Sequence, residues 1–282
     1  MAANMKEIKL RMKSIQNTMQ ITKAMELVAS SKLRRAKDRA ETSRPCFGIL
    51  YRALEDIADF NTDFTSRYTH DSESPKWCYV VIAGDRGLAG GYNDNLFKQM
   101  ERHSKGKDCT VLPIGKKAVE YYKRRNKGIM TEDFAEVSDI SISDCFVIAN
   151  LLCRAYGAGE YGHIAPFHTK FISVLSQTPV MTSLLPISDL SRRNVGEGIM
   201  PLILYEPDSE SVFDAIVPEY LAALIYCAMC EAVASELAAR RTAMNAASKN
   251  AGEMIDGLSL YYNRVRQAGI TREITEIVAG QE

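Results

Sequence analysis

From Met5 onward, apolar or small side chains recur in alternating steps of three and four: Met5, Ile8, Met12, Ile15, Met19, Thr22, Glu26, Ala29, Leu33 and on through Leu54 to Ile57. Fifteen such steps cover 52 residues, close to the ~3.5-residue period of a supercoiled helix seam. Pro45 is the one interruption, and it predicts a kink or break. The opposite end repeats the pattern from Tyr226 and Cys230 through Arg240, Met244, Ala247, Ala251, Met254, Leu258, Tyr261 and Val265 to Ala268. At about 1.5 Å per residue the first segment alone would run roughly 80 Å. Two seams at opposite ends of one chain are best satisfied by pairing with each other as an antiparallel coiled coil. The competing arrangement places each in an intermolecular bundle.

Between them the period changes. Cys78–Ala83 and Cys109–Ile114 are short apolar blocks of strand length. Each is followed by helix-period sequence, through Asn93–His103 and Ala118–Tyr122, and a further helix is predicted over Ile142–Tyr156. Strand-like stretches at Thr169–Leu175, Val180–Leu185 and Leu202–Tyr205 complete the middle. Alternation of strands and helices predicts an α/β layer with a largely parallel sheet. The expected division is a helix over 1–60, a polar linker over 61–76, the α/β domain over 77–207 and the returning helix over 208–282. Asp208 and Ser209 are placed to cap that last helix, and Pro218 marks a kink or a second start within it.

Charge changes this picture more than composition does. The 35 Lys and Arg balance 35 Asp and Glu, which argues against a globally basic nucleic-acid binder. By segment, residues 1–44 carry 11 basic against 4 acidic side chains, 45–217 carry 18 against 23, and 218–282 carry 6 against 8. The basic residues Lys9, Arg11, Lys13, Lys23, Lys32, Arg34 and Arg35 are interleaved with the first seam rather than preceding it. They therefore lie along the outside of the helix pair, where an acidic partner would meet them; a DNA-binding zipper keeps the two regions consecutive. No run approaches 18 consecutive apolar residues, so no transmembrane span or direct membrane insertion is expected. Seven irregularly spaced cysteines and an amino terminus without a signal-like core point to reduced thiols and a cytosolic setting.

The candidate chemistry is sparse. The cluster Gly84, Gly87, Gly90 and Gly91 lies between a strand and a helix, where backbone amides could hold phosphate. Its spacing matches neither the dinucleotide fingerprint nor the phosphate loop, so a structural tight turn is the stronger reading and nucleotide binding the lesser. Cys227 and Cys230 have CxxC spacing, but on a helix this is better read as packing; zinc would need two further ligands. The four histidines show no metal or triad spacing, and no cofactor, metal or catalytic residue is expected.

Three blocks carry a resemblance. Ile15-Gln16-Asn17-Thr18 with Ile21-Thr22-Lys23-Ala24-Met25-Glu26-Leu27-Val28-Ala29, the glycine block Gly84 to Asn93, and the stretch Tyr262-Asn263-Arg264-Val265-Arg266-Gln267-Ala268 with Ile270 to Val278 are similar to the signatures of the gamma subunit of F-type ATP synthase. Ala89 and Arg272 stand where relatives more often have Cys and Gln. The resemblance implies an α/β fold class: a long antiparallel coiled coil of the terminal helices plus a central Rossmann-like α/β domain. It implies a rotor that turns inside a ring of three alpha and three beta subunits, with the epsilon subunit and the membrane c-ring at its base, as a peripheral membrane protein on the cytoplasmic face. Met25, Arg240, Gln267, Thr271 and Glu273 match positions that contact the alpha/beta ring, and Tyr205 and Glu206, with Pro207, match the foot on the rotor ring. An α/β nucleotide-binding enzyme and a non-rotary coiled-coil scaffold remain the alternatives.

Overall fold

A computed structural model of the chain describes residues 2–59, 66–70, 72–137, 140–187 and 205–280. The order is α1 (Ala2–Asp59), β1 (Trp77–Ile82), α2 (Tyr92–Ser104), β2 (Cys109–Ile114), α3 (Lys116–Arg124), α4 (Ile142–Gly157), β3 (His163–Phe171), β4 (Gln177–Met181) and α5 (Ser209–Ala279). The chain forms two compact units, one of Met1–Ser31 with Arg240–Glu282 and one of Lys32–Ala239. Both long helices contribute to each.

In the first unit, every described seam position of α1 from Met5 to Ala29 is buried or half-buried. The partner is α5. Asn245 donates to Glu26 Oε1 at 3.0 Å, the hydroxyls of Thr22 and Ser248 lie 2.7 Å apart, and Lys9 Nζ sits 5.3 Å from the Tyr262 ring centroid. Numbers fall along one helix as they rise along the other, so the pairing is antiparallel and within this chain. The α5 seam differs from the expected one beyond Ala251. Met254 and Tyr261 are 59% and 50% exposed, and Ala268 is exposed too. Ile255, Leu258, Tyr262, Val265 and Gly269 are half-buried and continue the seam in their place. Adjacent apolar residues at 254–255 and 261–262 allow either phase of a three-four alternation, and the neighbouring helix selects the second of each pair.

The second unit is built on a four-stranded sheet of order β2-β1-β3-β4. β1 pairs in parallel with β2 and β3, and β4 pairs antiparallel with β3, so the sheet is largely parallel with one antiparallel edge. Alternation within the strands divides the core. Cys78, Val80, Ile82, Leu112, Ile114 and Ile164 face α4, the end of α1 and the start of α5, whereas Tyr79, Val81, Val111, Ala165 and Phe167 face α2 and α3. β3 begins at His163, six residues before the expected stretch. Its two histidines, Pro166 and Lys170 dilute an apolar pattern that is nonetheless buried from Ile164 to Thr169. The expected strand at 202–204 lies outside the described residues.

Neither proline breaks its helix. Pro45 lies inside α1 and Pro218 inside α5. An interior proline costs about 3 kcal/mol. After Pro45 the same helix buries Leu54 (0% exposed) and Ile57 (3%), and full burial of such a side chain contributes ~1.5–3 kcal/mol each, enough to hold the helix through the defect. Asp208 caps α5 as expected: Ser211 N donates to its Oδ1 at 2.7 Å and Ser211 Oγ to its Oδ2 at 2.9 Å, and these bonds hold the Asp208 carboxyl below its ordinary range. In the polar stretch before β1, Ser66 and Tyr68 are buried, and Ser66 Oγ donates to Asp214 of α5 at 2.7 Å. By length and composition α5 could cross a membrane, but its most apolar window is 78% buried within the protein. Most of that window is consumed by packing.

Candidate functional site

The glycine turn follows β1 and leads into α2. Gly84 N donates to Asn93 Oδ1 at 2.9 Å, and Gly84 O accepts from Lys117 N at 3.1 Å. Asp85 Oδ1 accepts from Val137 N at 2.9 Å, which ties the turn to the loop before α4. Gly90 adopts φ +58°, and Leu88, two residues earlier, φ +62°; the left-handed region is where lack of a Cβ matters. Gly84 acts differently: a Cβ there would lie 2.7 Å from Glu236 Cδ on α5, so the carboxylate would have to leave its place. Gly87 has open space around it, and Gly91 precedes the first turn of α2 with Asn95 nearby. A fifth glycine escaped the sequence reading. Gly115, directly after β2, has φ +97°, and a Cβ would come within 2.2 Å of Ala83 O.

β1 lies between β2 and β3, so the chain leaves its carboxyl end first to one side and later to the other. A ligand of an open α/β sheet binds in the crevice at such a switch point. Here α5 fills it. Ser235 Oγ donates to Thr169 O at 2.9 Å, Tyr92 Oη donates to Ala232 O at 3.0 Å, Glu236 lies on Gly84, and Glu231 Oε2 stands 3.6 Å from His168 Nε2. Glu231, Ser235 and Glu236 are 9%, 0% and 8% exposed. Two carboxylates on a packed helix would repel a phosphate and leave it no room, so the crevice that a nucleotide would need is occupied by the chain itself.

The remaining candidates are absorbed into packing. Cys227 donates through sulfur to Ser43 O at 3.3 Å, and burial pushes the Cys230 thiol above its ordinary value. His163 stacks on Trp77 with centroids 4.4 Å apart, and His103 Nδ1 lies 3.0 Å from Tyr79 Oη, with burial and then Lys107 lowering its pKa. Among the described residues no group of three His, Cys, Asp or Glu side chains could hold a metal.

The five ring-contact candidates do not form one cluster. Met25 is 39% exposed on α1, beside Glu26 and so near Asn245 of the paired helix. Arg240 is half-buried. Gln267, Thr271 and Glu273 are exposed, with Thr271 Oγ1 bonded to Gln267 O at 3.0 Å, and along the helix they lie roughly 40 Å from Arg240. Of the foot candidates, Tyr205 is half-buried, with its pKa raised by burial and then by Asp56, and Glu206 is exposed. What the sequence reading missed is apolar. Ile21 (59%), Met25 and Val28 (56%) make an outward stripe at helical spacing on α1, with Leu27 (65%) beside it. A second stripe runs along Ile270 (47%), Ile274 (56%), Ile277 (65%) and Val278 (63%), where α5 has passed the start of α1. The signal was available: each stripe consists of apolar residues left over once the seam is assigned.

A mixed sheet together with two very long helices is a fold that this chain shares with chains of solved ATP synthases. Two chains of the Euglena gracilis mitochondrial ATP synthase match the fold, one from a rotor structure with TM-score 0.66 (16% identity, 96% of this chain and 100% of that one) and one from a structure of OSCP, F1 and c-ring with 0.68 (17%, 100% and 94%). A chain from the Tetrahymena thermophila central stalk and c-ring matches with 0.60 (23%, 81% and 99%). The ATP synthase family model matches residues 4–282. The ATP synthase gamma chain of Ruminococcus albus is 43% identical over 281 residues, 98% of this chain and 96% of that one, and the sodium-ion-specific gamma chain of Acetobacterium woodii is 36% identical over 299 residues, 100% and 99%. The chain belongs to the ATP synthase gamma-chain family.

Proposed function

We propose that this chain is the rotating central stalk of an F-type ATP synthase, coupling ion passage through a membrane sector to ATP synthesis or hydrolysis on an alpha3beta3 ring. The observation that carries the reading is the outward apolar stripe of Ile21, Met25 and Val28 on α1, held away from the seam that pairs the helices. Apolar side chains held outward on a rigid helix have a use if a partner surface passes over them. A rotor does work on its ring only by interacting differently with each conformational state of the surrounding subunits. An asymmetric pair of helices presents a different face to each of three subunits at any moment.

In this reading Met25, Arg240, Gln267, Thr271 and Glu273 contact the alpha/beta ring at two heights, and Tyr205 and Glu206 form the foot on the c-ring, with the epsilon subunit beside it. Segments 1–60 and 208–282 act as the shaft, 61–76 as the connection and 77–207 as the base. The complex sits on the membrane, and we place this chain on its cytoplasmic face as a peripheral protein. Co-expression with alpha and beta subunits should give an ATPase-active complex holding one copy of this chain per three of each. Alpha and beta assembling without it would sink the proposal. Met25→Lys should lower ATP-driven ion uptake by reconstituted vesicles more than it lowers hydrolysis, and equal loss of both would remove Met25 from the contact set.

A further inference from the structure

We propose that the switch-point crevice is the torque joint of the rotor, in which Glu231, Ser235 and Glu236 of α5 are positioning residues that fix the angle between the shaft helix and the sheet body. The inference rests on the rotor reading. A rotor whose base and shaft are parts of one chain must still resist twisting where they meet. Nearer its start α5 fills the core with Phe213, Leu221 and Ile225, but at the switch point its buried apolar residues are Ala232, Ala234 and Ala238, a shallow surface. Apolar packing is non-directional, and small side chains make low ridges, so this surface opposes rotation about the helix axis weakly.

The crevice supplies what the alanines lack. Positions 231, 232, 235 and 236 fall on one face of α5 and meet three separate elements. Glu231 faces His168, and Ser235 bonds the Thr169 carbonyl, both on β3; the Ala232 carbonyl takes the Tyr92 hydroxyl of α2; and Glu236 rests on Gly84 after β1. Hydrogen bonds weaken steeply as they leave line, and these approach α5 from several directions, so any rotation of the helix distorts some of them. They are buried, so water cannot readily replace a bond that breaks. Gly84 is the slot of this key, because any side chain there would occupy the place of the Glu236 carboxylate. The glycine motif and the carboxyl-terminal helix are thus two halves of one device, separated by about 150 residues in the chain.

The test uses the full complex reconstituted with its membrane sector. Tyr92→Phe, Ser235→Ala and Glu236→Ala are combined in one chain, and Glu236→Gln is made alone as the conservative variant. A control chain carries Ser141→Ala and Tyr156→Phe, which remove the α4 cap and the bond to His70 O elsewhere in the same unit. Ion uptake per ATP hydrolysed should fall at least threefold in the triple variant, stay near the parental value in the control, and be largely retained in Glu236→Gln. A bead fixed to the sheet body should show wider angular fluctuation in the triple variant, with unchanged dwell positions. An unchanged ratio and unchanged spread in a stoichiometric triple-variant complex would overturn the proposal, as would a control chain that uncouples equally. If the triple variant does not incorporate, Ser235→Ala alone decides: a wider bead spread supports the joint and an unchanged one removes it. Failure of the parental complex to assemble or to couple would count against the rotor reading instead.

Discussion

The apolar stripe at the end of α5 yields a prediction with a magnitude. Ile270, Ile274, Ile277 and Val278 are between 47% and 65% exposed, so a ring closing around them could bury roughly half of each. Full burial of an Ile or Val side chain contributes ~1.5–3 kcal/mol, which makes the four together worth about 3–6 kcal/mol, or about two to four powers of ten in a dissociation constant. Replacing all four by Gln keeps helix propensity and removes the apolar surface. The isolated chain should lose almost nothing, because these side chains are already in water. The complex with alpha and beta should dissociate far more readily, as measured by sedimentation over a dilution series. A variant complex as tight as the parent would refute the idea that the stripe is a ring contact. Equal loss of thermal stability in the isolated chain would refute the exposure on which it rests.

The seam register can be tested within the isolated chain. Ile255→Ala should destabilise the helix pair by about 1 kcal/mol or more, whereas Met254→Ala, at a position 59% exposed, should change little; urea unfolding followed by circular dichroism separates them. The thiols offer a pH readout. Burial pushes Cys78 and Cys145 up to about 12 and Cys153 to about 11, from an ordinary value near 9. At pH 8 iodoacetamide should spare these three in the folded chain and label them in denaturant, as peptide mass mapping would show. A raised folded value means that the stabilisation is complete below about pH 9 and is lost as pH rises toward the folded values, so unfolding should become easier between about pH 9 and 12.

The sequence showed the fold wherever burial follows a period. α1's seam, β1, β2 and α4 were readable because the buried face is mostly apolar, with Thr22 and Glu26 as polar exceptions in the seam. β3 was misplaced because a strand flanked on both sides draws its burial from the sheet even where its own residue is His168, while His163 and Lys170 break the apolar pattern at its ends. Met254 and Ile255 could not be told apart, since only the partner helix decides which of two adjacent apolar residues turns inward. The site was half readable. The glycines announced a turn, but what they admit, Glu236, lies far along the chain and carries no local signal of its role. Pro45 and Pro218 do not end their helices, because a local rule about proline takes no account of the burial that follows.

The bond between Thr22 and Ser248 spans 226 positions. A ribosome adding roughly 5–20 residues each second needs about 10–45 s between completing one hydroxyl and supplying the other. Throughout that interval the seam of the first helix has no mate, and its methionines and isoleucines are open to other nascent chains. Pairing the helices closes a loop of 226 positions at this bond, and contacts that distant are slow to form. The alternating lysines and arginines along the first 44 residues then have a use that precedes assembly: they keep a helix with a sticky face soluble and mutually repellent until the far end of its own chain arrives.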